Sequence, residues 1–389
     1  MKTKNPAFLS LISVLTVLSA LALLPVRADS DSGQAKPSGS SGDVPVVRLP
    51  KRPAPVPGLP STLVLKADLV IGRESGDENY MFSQLRSVGV DREDNIYALD
   101  MKEIKVRVFD KTGSYLRTFG KKGKGPGEID TPMRMEMTPA GQLVIEDFGS
   151  GKFVFFALDG MVAKEIPLGK YQFLLRFKLN GRGEIYADTR TYSETGFVSE
   201  IIKFSPDFKP LSTIASFESK RAGAERVLRP FSPSFLLQLT GNGDLVMAKG
   251  DTDTYEFSVM DPDGRPIRRI VKDYEPAKVS GPAKKRLLDQ YGQIPSGYTI
   301  DLPDEFPALY YFIIDDRDRL FVRTYEYEER EDGPWLFYDV FDTIGRYLAR
   351  FSLPEREMAF ISRNNKLYAM VQENEEGYPQ VKRYDMIWK

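Results

Sequence analysis

The sequence predicts an all-β fold, a six-bladed β-propeller, and three observations carry that expectation. Leu85 to Gly120 reads as short alternating apolar runs separated by Asp, Asn and Gly turns, the pattern of an antiparallel meander with one face buried. The turn feeding the second strand of that meander recurs at Asn95, Gln142, Glu184, Asp244, Arg319 and Lys366, at blade-sized intervals with two longer gaps. A second cue follows in five of these units: VFDKTG at Gly113, FALDG at Gly160, FSPDF at Phe208, VMDPDG at Gly264 and VFDTIG at Gly345.

The connector after the first unit, Gly120-Lys-Lys-Gly-Lys-Gly-Pro-Gly-Glu-Ile129, is similar to the Gly-rich connector of NHL-repeat six-bladed propellers. Ile71 to Phe82 resembles a degenerate copy of it. The resemblance spans residues 62–389 and is closest in the first unit. It implies the fold. For function it leaves binding modules, sensors and a few lyases or lactonases open, because one fold hosts many activities.

Taken from the start, Lys2 and Lys4, an apolar run from Ala7 to Leu24 and Val26-Arg-Ala28 form a secretory signal peptide over residues 1–28, with cleavage after Ala28. An uncleaved membrane anchor is the alternative. Residues 29–60, rich in Ser, Gly and Pro, read as a disordered linker. The propeller then occupies 61–389 as one domain. Its last unit supplies only three strands, so Thr62 to Ile71 is expected as the outer strand of the sixth blade, removing two open edges. The expected location is outside the cytoplasm: periplasm, cell surface or medium.

Alignment on the residue that opens each second strand puts the inner strands in register. Asp91, Thr138, Asn180, Thr240, Asp315 and Ser362 fall at the turn. Val88, Met135, Phe177, Leu237, Phe312 and Ala359 share one face, as do Val90, Met137, Leu179, Leu239, Ile314 and Ile361, and this face should pack against neighbouring blades. Because side chains alternate, the channel receives Gly89, Glu136, Lys178, Gln238, Ile313 and Phe360 in one layer. Ser87, Arg134, Arg176, Leu236, Tyr311 and Met358 form the layer nearest the connectors. Second strands end at the same mouth with Glu146, Asp188 and Arg323 at one position and Asp100, Asp147 and Lys249 at the next.

The expected ligand-binding set is therefore Arg134, Glu136, Arg176, Lys178, Asp188, Gln238, Tyr311 and Arg323, with Arg134 and Arg176 as a fork for a carboxylate or other anion. The competing expectation is that these charges pair among themselves around a water-filled channel. The long insert Asp273 to Ala308 should hold a helix begun by Ser280 and ended by Gly292, lying over the mouth as a lid or merely covering apolar rim. The acidic run from Tyr325 to Pro334 reads as a solvated loop tip.

The chain has no histidine and no cysteine. That excludes Ser-His-Asp and Cys-His nucleophiles and zinc, iron or copper sites built on those ligands. Carboxylate chemistry remains. With 54 basic and 55 acidic residues the chain lacks the basic bias of a nucleic-acid binder, and after leader cleavage no segment is long enough to span a membrane. Three functions stand. The first is a monomeric, cofactor-free, non-enzymatic propeller that binds a small anion, peptide or protein at the connector face. The second is a calcium-dependent hydrolase or lactonase of the gluconolactonase-like type using Glu136, Glu146, Asp147 and Asp188. The third is a scaffold with an empty channel.

Overall fold

The computed structural model describes residues 44–52, 56–193, 196–220, 227–231, 233–250, 253–291, 294, 296–342 and 344–389. The expected leader, the start of the linker and Gly292 lie outside them. The chain is a six-bladed β-propeller. Blade one holds Leu85–Val90, Ile96–Asp100, Lys105–Phe109 and Tyr115–Phe119, paired antiparallel in that order from the channel outward, and the later blades repeat the order. The inner strands of blades two to six are Pro132–Met137, Leu174–Leu179, Phe235–Leu239, Tyr311–Ile314 and Glu357–Arg363.

Leu63–Ile71 pairs antiparallel with Gln380–Trp388 as the outer strand of blade six, as the missing strand required. Asp68, at the bulge in this strand, takes hydrogen bonds from Arg383 Nη2 at 2.9 Å and Lys366 Nζ at 2.8 Å. Arg383 also donates to the Lys111 carbonyl of blade one at 2.7 Å, so the seam is tied on both sides. The linker expectation over 29–60 needs correcting for one stretch. Val46–Leu49 adds a fifth strand, parallel, to the outer edge of blade four. VVRL alternates apolar and polar residues, and the open edge of Pro266–Lys272 offers unpaired backbone groups.

Each blade interface has its own apolar cluster. Blade one meets blade two through Leu99, Met135 and Leu143, blade two meets three through Val144, Phe153 and Phe177, and the pattern runs on until Tyr368 of blade six meets Val88 of blade one. The predicted packing residues Val88, Met135, Phe177, Leu237, Phe312 and Ala359 are all buried.

The repeated turns have a physical basis. Asp91 Oδ1 accepts the N–H groups of Glu93 and Asn95, and Asn180 and Asp315 do the same in their blades. The outer turn needs a left-handed residue, supplied by Gly113 at φ 85°. Blade three puts Phe208 there at φ 60°, and its ring stacks on Phe204 at 4.1 Å, which offsets the backbone cost.

Two local expectations fail. In blade six the inner hairpin closes on a two-residue turn, Asn364 and Asn365, both at positive φ. A bulge between Ala359 and Ile361 takes up the extra residue, so Phe360 is the bulged residue, packed beside Met358 and Ile361, and Ser362 bonds Met386 rather than the turn. The Tyr325–Pro334 run is strand as far as Arg330: Leu320–Arg330 and Gly333–Phe341 form a long hairpin in which Tyr327 faces Leu336 and Glu328 faces Trp335. Period-two alternation of Tyr and Glu outweighed the charge.

Candidate functional site at the connector-face mouth

The polar residues of the inner strands form a directional ring. Arg86 Nε of blade one donates to the Met133 carbonyl of blade two at 2.9 Å, and Ser87 Oγ to that of Met135 at 3.0 Å. Arg134 Nη1 reaches the Leu174 carbonyl of blade three at 3.1 Å, and Arg176 Nη1 the Phe235 carbonyl of blade four at 2.8 Å. Gln238 Nε2 continues to Phe312, Tyr311 OH to Ala359, and Gln372 Nε2 returns to Leu85 at 2.8 Å. Every interface is thus clamped in the same circular sense. Bulges at the mouth ends of the inner strands of blades one to three disturb the ladder beside Leu85, Met133 and Leu174, whose carbonyls take these bonds.

Arg134 and Arg176 therefore do not form a fork. Each reaches to the next blade, and Arg134 is also ion-paired with Glu146 Oε2 at 2.8 Å. Deeper in the channel Lys178 Nζ holds both oxygens of Glu136, at 2.7 and 2.8 Å. In blades two and three the cross-strand pairs at the mouth are Arg134 with Glu146 and Arg176 with Asp188. Burial raises both carboxylates above their ordinary range despite the arginines. Desolvation pulls Arg176 and Arg86 down to about 10.

Blade five reverses the arrangement. Its cross-strand pair is Tyr311 with Arg323, the cation now on the second strand and no acid opposite. Arg323 is only 6% exposed, its Nη1 has no hydrogen-bond partner, and no carboxylate lies within ion-pair distance of it among the described residues; burial lowers its pKa, but Tyr338, Tyr311, Tyr310 and Glu355 outweigh this and hold it above its ordinary range. Its guanidinium lies 4.6 Å from the Tyr310 ring centroid and 5.8 Å from that of Tyr311. Burial pushes the hydroxyls of Tyr310, Tyr311 and Tyr325 up, so they are uncharged at neutral pH and supply no counter-charge. The mouth includes four guanidiniums, Arg86, Arg134, Arg176 and Arg323, and four fully buried carboxylates, Asp100, Glu146, Asp147 and Asp188.

The insert meets this region through aromatic contacts. Gly281–Tyr291 is the single α-helix among the described residues, and Ala283 and Leu287 pack with Phe231, Leu302 and Phe306. Phe306 stacks on Tyr325 at 4.8 Å, Tyr325 meets Tyr310 at 5.3 Å, and Tyr310 meets Tyr311 at 5.5 Å. This wall runs from the insert to Arg323.

The carboxylates available to a calcium site are committed elsewhere. Glu136 holds Lys178 and Glu146 holds Arg134. Asp147 accepts the N–H groups of Asp130 and Thr131, and Asp188 accepts the Ser199 hydroxyl and the Phe235 N–H. No three acidic side chains gather as a metal cage among the described residues, so these residues do not fit a calcium ion.

Sequence reasoning missed Arg86, Gln372 and Tyr325, and placed Tyr310 only among the aromatic residues of the insert over the mouth. Strict alternation puts Arg86 on the packed face, and only the bulge re-aims it. Gln372 and Tyr310 lie just outside their strands. The aromatic repeats in Tyr310-Tyr311 and Tyr325-Glu-Tyr327 were the available signal.

Residues 77–206 match the family DUF5128, described as a 6-bladed beta-propeller. No curated protein matches the chain. Among solved structures, a Bacteroides fragilis protein whose name assigns it provisionally to export is 14% identical, with 88% of this chain and 99% of that one covered and a TM-score of 0.52. A duf4221 family member from Bacteroides vulgatus is 10% identical, with 85% and 99% covered and the same TM-score. A Xanthomonas campestris gluconolactonase is 12% identical, with 86% and 99% covered and a TM-score of 0.47. At these identities the likeness is one of fold.

Proposed function

We propose that this chain is an exported, non-enzymatic binding propeller that holds an oxyanion-bearing ligand at the connector-face mouth of its channel. The observation that carries this is Arg323, a buried cation whose Nη1 has no hydrogen-bond partner, beside Tyr310 and Tyr311 and with no carboxylate in ion-pair contact among the described residues. Burial disfavours the Arg323 charge, Tyr338, Tyr311, Tyr310 and Glu355 offset that, and a bound carboxylate, sulfate or phosphate adds charge-assisted bonds. Arg176, half-buried and bonded by Nη1 alone, is the natural second contact. Absence of histidine and cysteine, together with carboxylates already held by cations and backbone N–H groups, favours binding over catalysis. The basic-apolar leader and the export designation of the Bacteroides fragilis neighbour support an exported chain.

Calorimetric titration with citrate, galacturonate, sulfate and phosphate tests the reading. At least one should bind saturably to the wild type and lose tenfold or more in affinity in Arg323→Met. Failure of all four to bind, or binding unchanged in Arg323→Met, would overturn it.

A further inference from the structure

A cavity beside the insert has the opposite chemistry. It encloses about 340 Å³ between the strand-exit segment of blade four, the connector into that blade and the insert. Phe231, Tyr274, Phe306 and four prolines form its walls, and its charged lining is Asp253, Asp301, Glu305 and Arg229. Arg229 Nε bonds Asp301 Oδ2 at 3.0 Å, which uses the one base against one of the three acids. Asp253 and Glu305 have no cation in ion-pair contact among the described residues.

The Tyr274 hydroxyl is the second observation. Its oxygen is buried and has no hydrogen-bond partner, an uncommon state for a phenol in a folded protein. Burial, then the charges of Asp253 and Glu305, push that hydroxyl up, so it stays protonated and its lone pairs remain available to a donor. Phe231 and Phe306 meet edge to face at 5.7 Å, and the helix residues Ala283 and Leu287 support them from behind. The prolines have fixed φ and no N–H, so the walls are stiff and apolar.

We propose that this cleft is a binding site for a primary ammonium group carried on an apolar stem, either a free alkylamine or a lysine side chain of a peptide. Asp253 and Glu305 supply the counter-charge, Tyr274 Oη accepts one N–H, and the ring faces of Phe231 and Phe306 take the stem and part of the charge through cation–π attraction. The site differs from the Arg323 mouth in the sign of its charge, so it does not depend on the anion reading. The aromatic contacts from Phe231 through Tyr325 to Tyr310 connect the two.

Saturation-transfer NMR on the full chain tests it, with butylammonium chloride and acetyl-Gly-Lys-Gly-amide as probes and butanol as the uncharged control. The wild type should bind at least one charged probe and bind butanol tenfold or more weakly. Binding of the amine alone assigns a free amine, and binding of the peptide alone assigns a lysine side chain. The double variant Asp253→Asn, Glu305→Gln should lose at least tenfold in affinity and Tyr274→Phe several-fold, with melting temperatures near that of the wild type because Asp253 and Glu305 are exposed. Equal binding of butanol and butylammonium, or affinity unaltered in the double variant, would overturn the proposal.

Discussion

Blades two and three differ from blade five in one cross-strand pair, and the difference separates a structural arginine from an available one. Arg134 and Arg176 stand on inner strands, opposite Glu146 and Asp188. Arg323 stands on a second strand, opposite a tyrosine. The paired arginines clamp the next blade's backbone, and their charge is largely answered within the protein. Arg323 is more deeply buried, and no carboxylate is in ion-pair contact with it among the described residues. The same cross-strand pair thus serves cohesion in one half of the ring and leaves a guanidinium nitrogen unbonded in the other.

The same substitution in the two halves should give different results. Arg134→Met leaves Glu146, 1% exposed, as a buried anion without a partner, and should cost roughly 3–5 kcal/mol at pH 7 by thermal or urea denaturation. Adding Glu146→Gln should restore most of the loss. Lowering pH should too, because burial holds Glu146 above its ordinary 4.5 and the folded protein takes up that proton before the unfolded chain does. A single variant as stable as wild type would mean that Glu146 is neutral or solvated.

At the ring seam the sign of the pH effect is opposite. Burial alone would raise Asp68, but the hydrogen bonds from Arg383 and Lys366 win and hold it below 3.8. Its stabilisation is present above that value and is lost as pH falls through the lowered pKa. Asp68→Asn should therefore cost about 1–3 kcal/mol at pH 7 and progressively less in acid, as read from melting temperatures across pH. A cost independent of pH would show that shape, not charge, holds the seam.

Arg323→Met should change stability by no more than about 1 kcal/mol, since the lost cation–π contact offsets the relieved desolvation. A loss as large as that of Arg134→Met would erase the distinction between the halves. Lys178→Met with Glu136→Gln removes a channel pair open to water and should move stability by about 1 kcal/mol or less. Calcium added after chelation should leave the melting temperature where it was, and an upward shift would restore the hydrolase reading.

What could be read beforehand follows from which forces are local. Alternation, Asp turns and left-handed glycines act within a few residues, so blade number, the closing strand and the packed residues from Val88 to Ala359 were legible. The channel charges were identified, including Arg323, but their partners were not, because Arg134 reaches Leu174 and Gln372 reaches Leu85 across blades. Blade six misled for a reason visible only in backbone geometry: the Asn364-Asn365 turn and the bulge before Ile361 shift the register by one. Val46–Leu49 was hidden by the Ser- and Pro-rich composition around it, since four residues that need an existing edge carry no signal of their own.

The most direct measurement is anomalous diffraction from crystals soaked in iodide, which reports where the protein accepts an anion without assuming its natural ligand. An iodide peak in contact with Arg323 beside Tyr310, with none at Arg134, is the predicted result. A peak at Arg134 and none at Arg323 would contradict the division between the two halves.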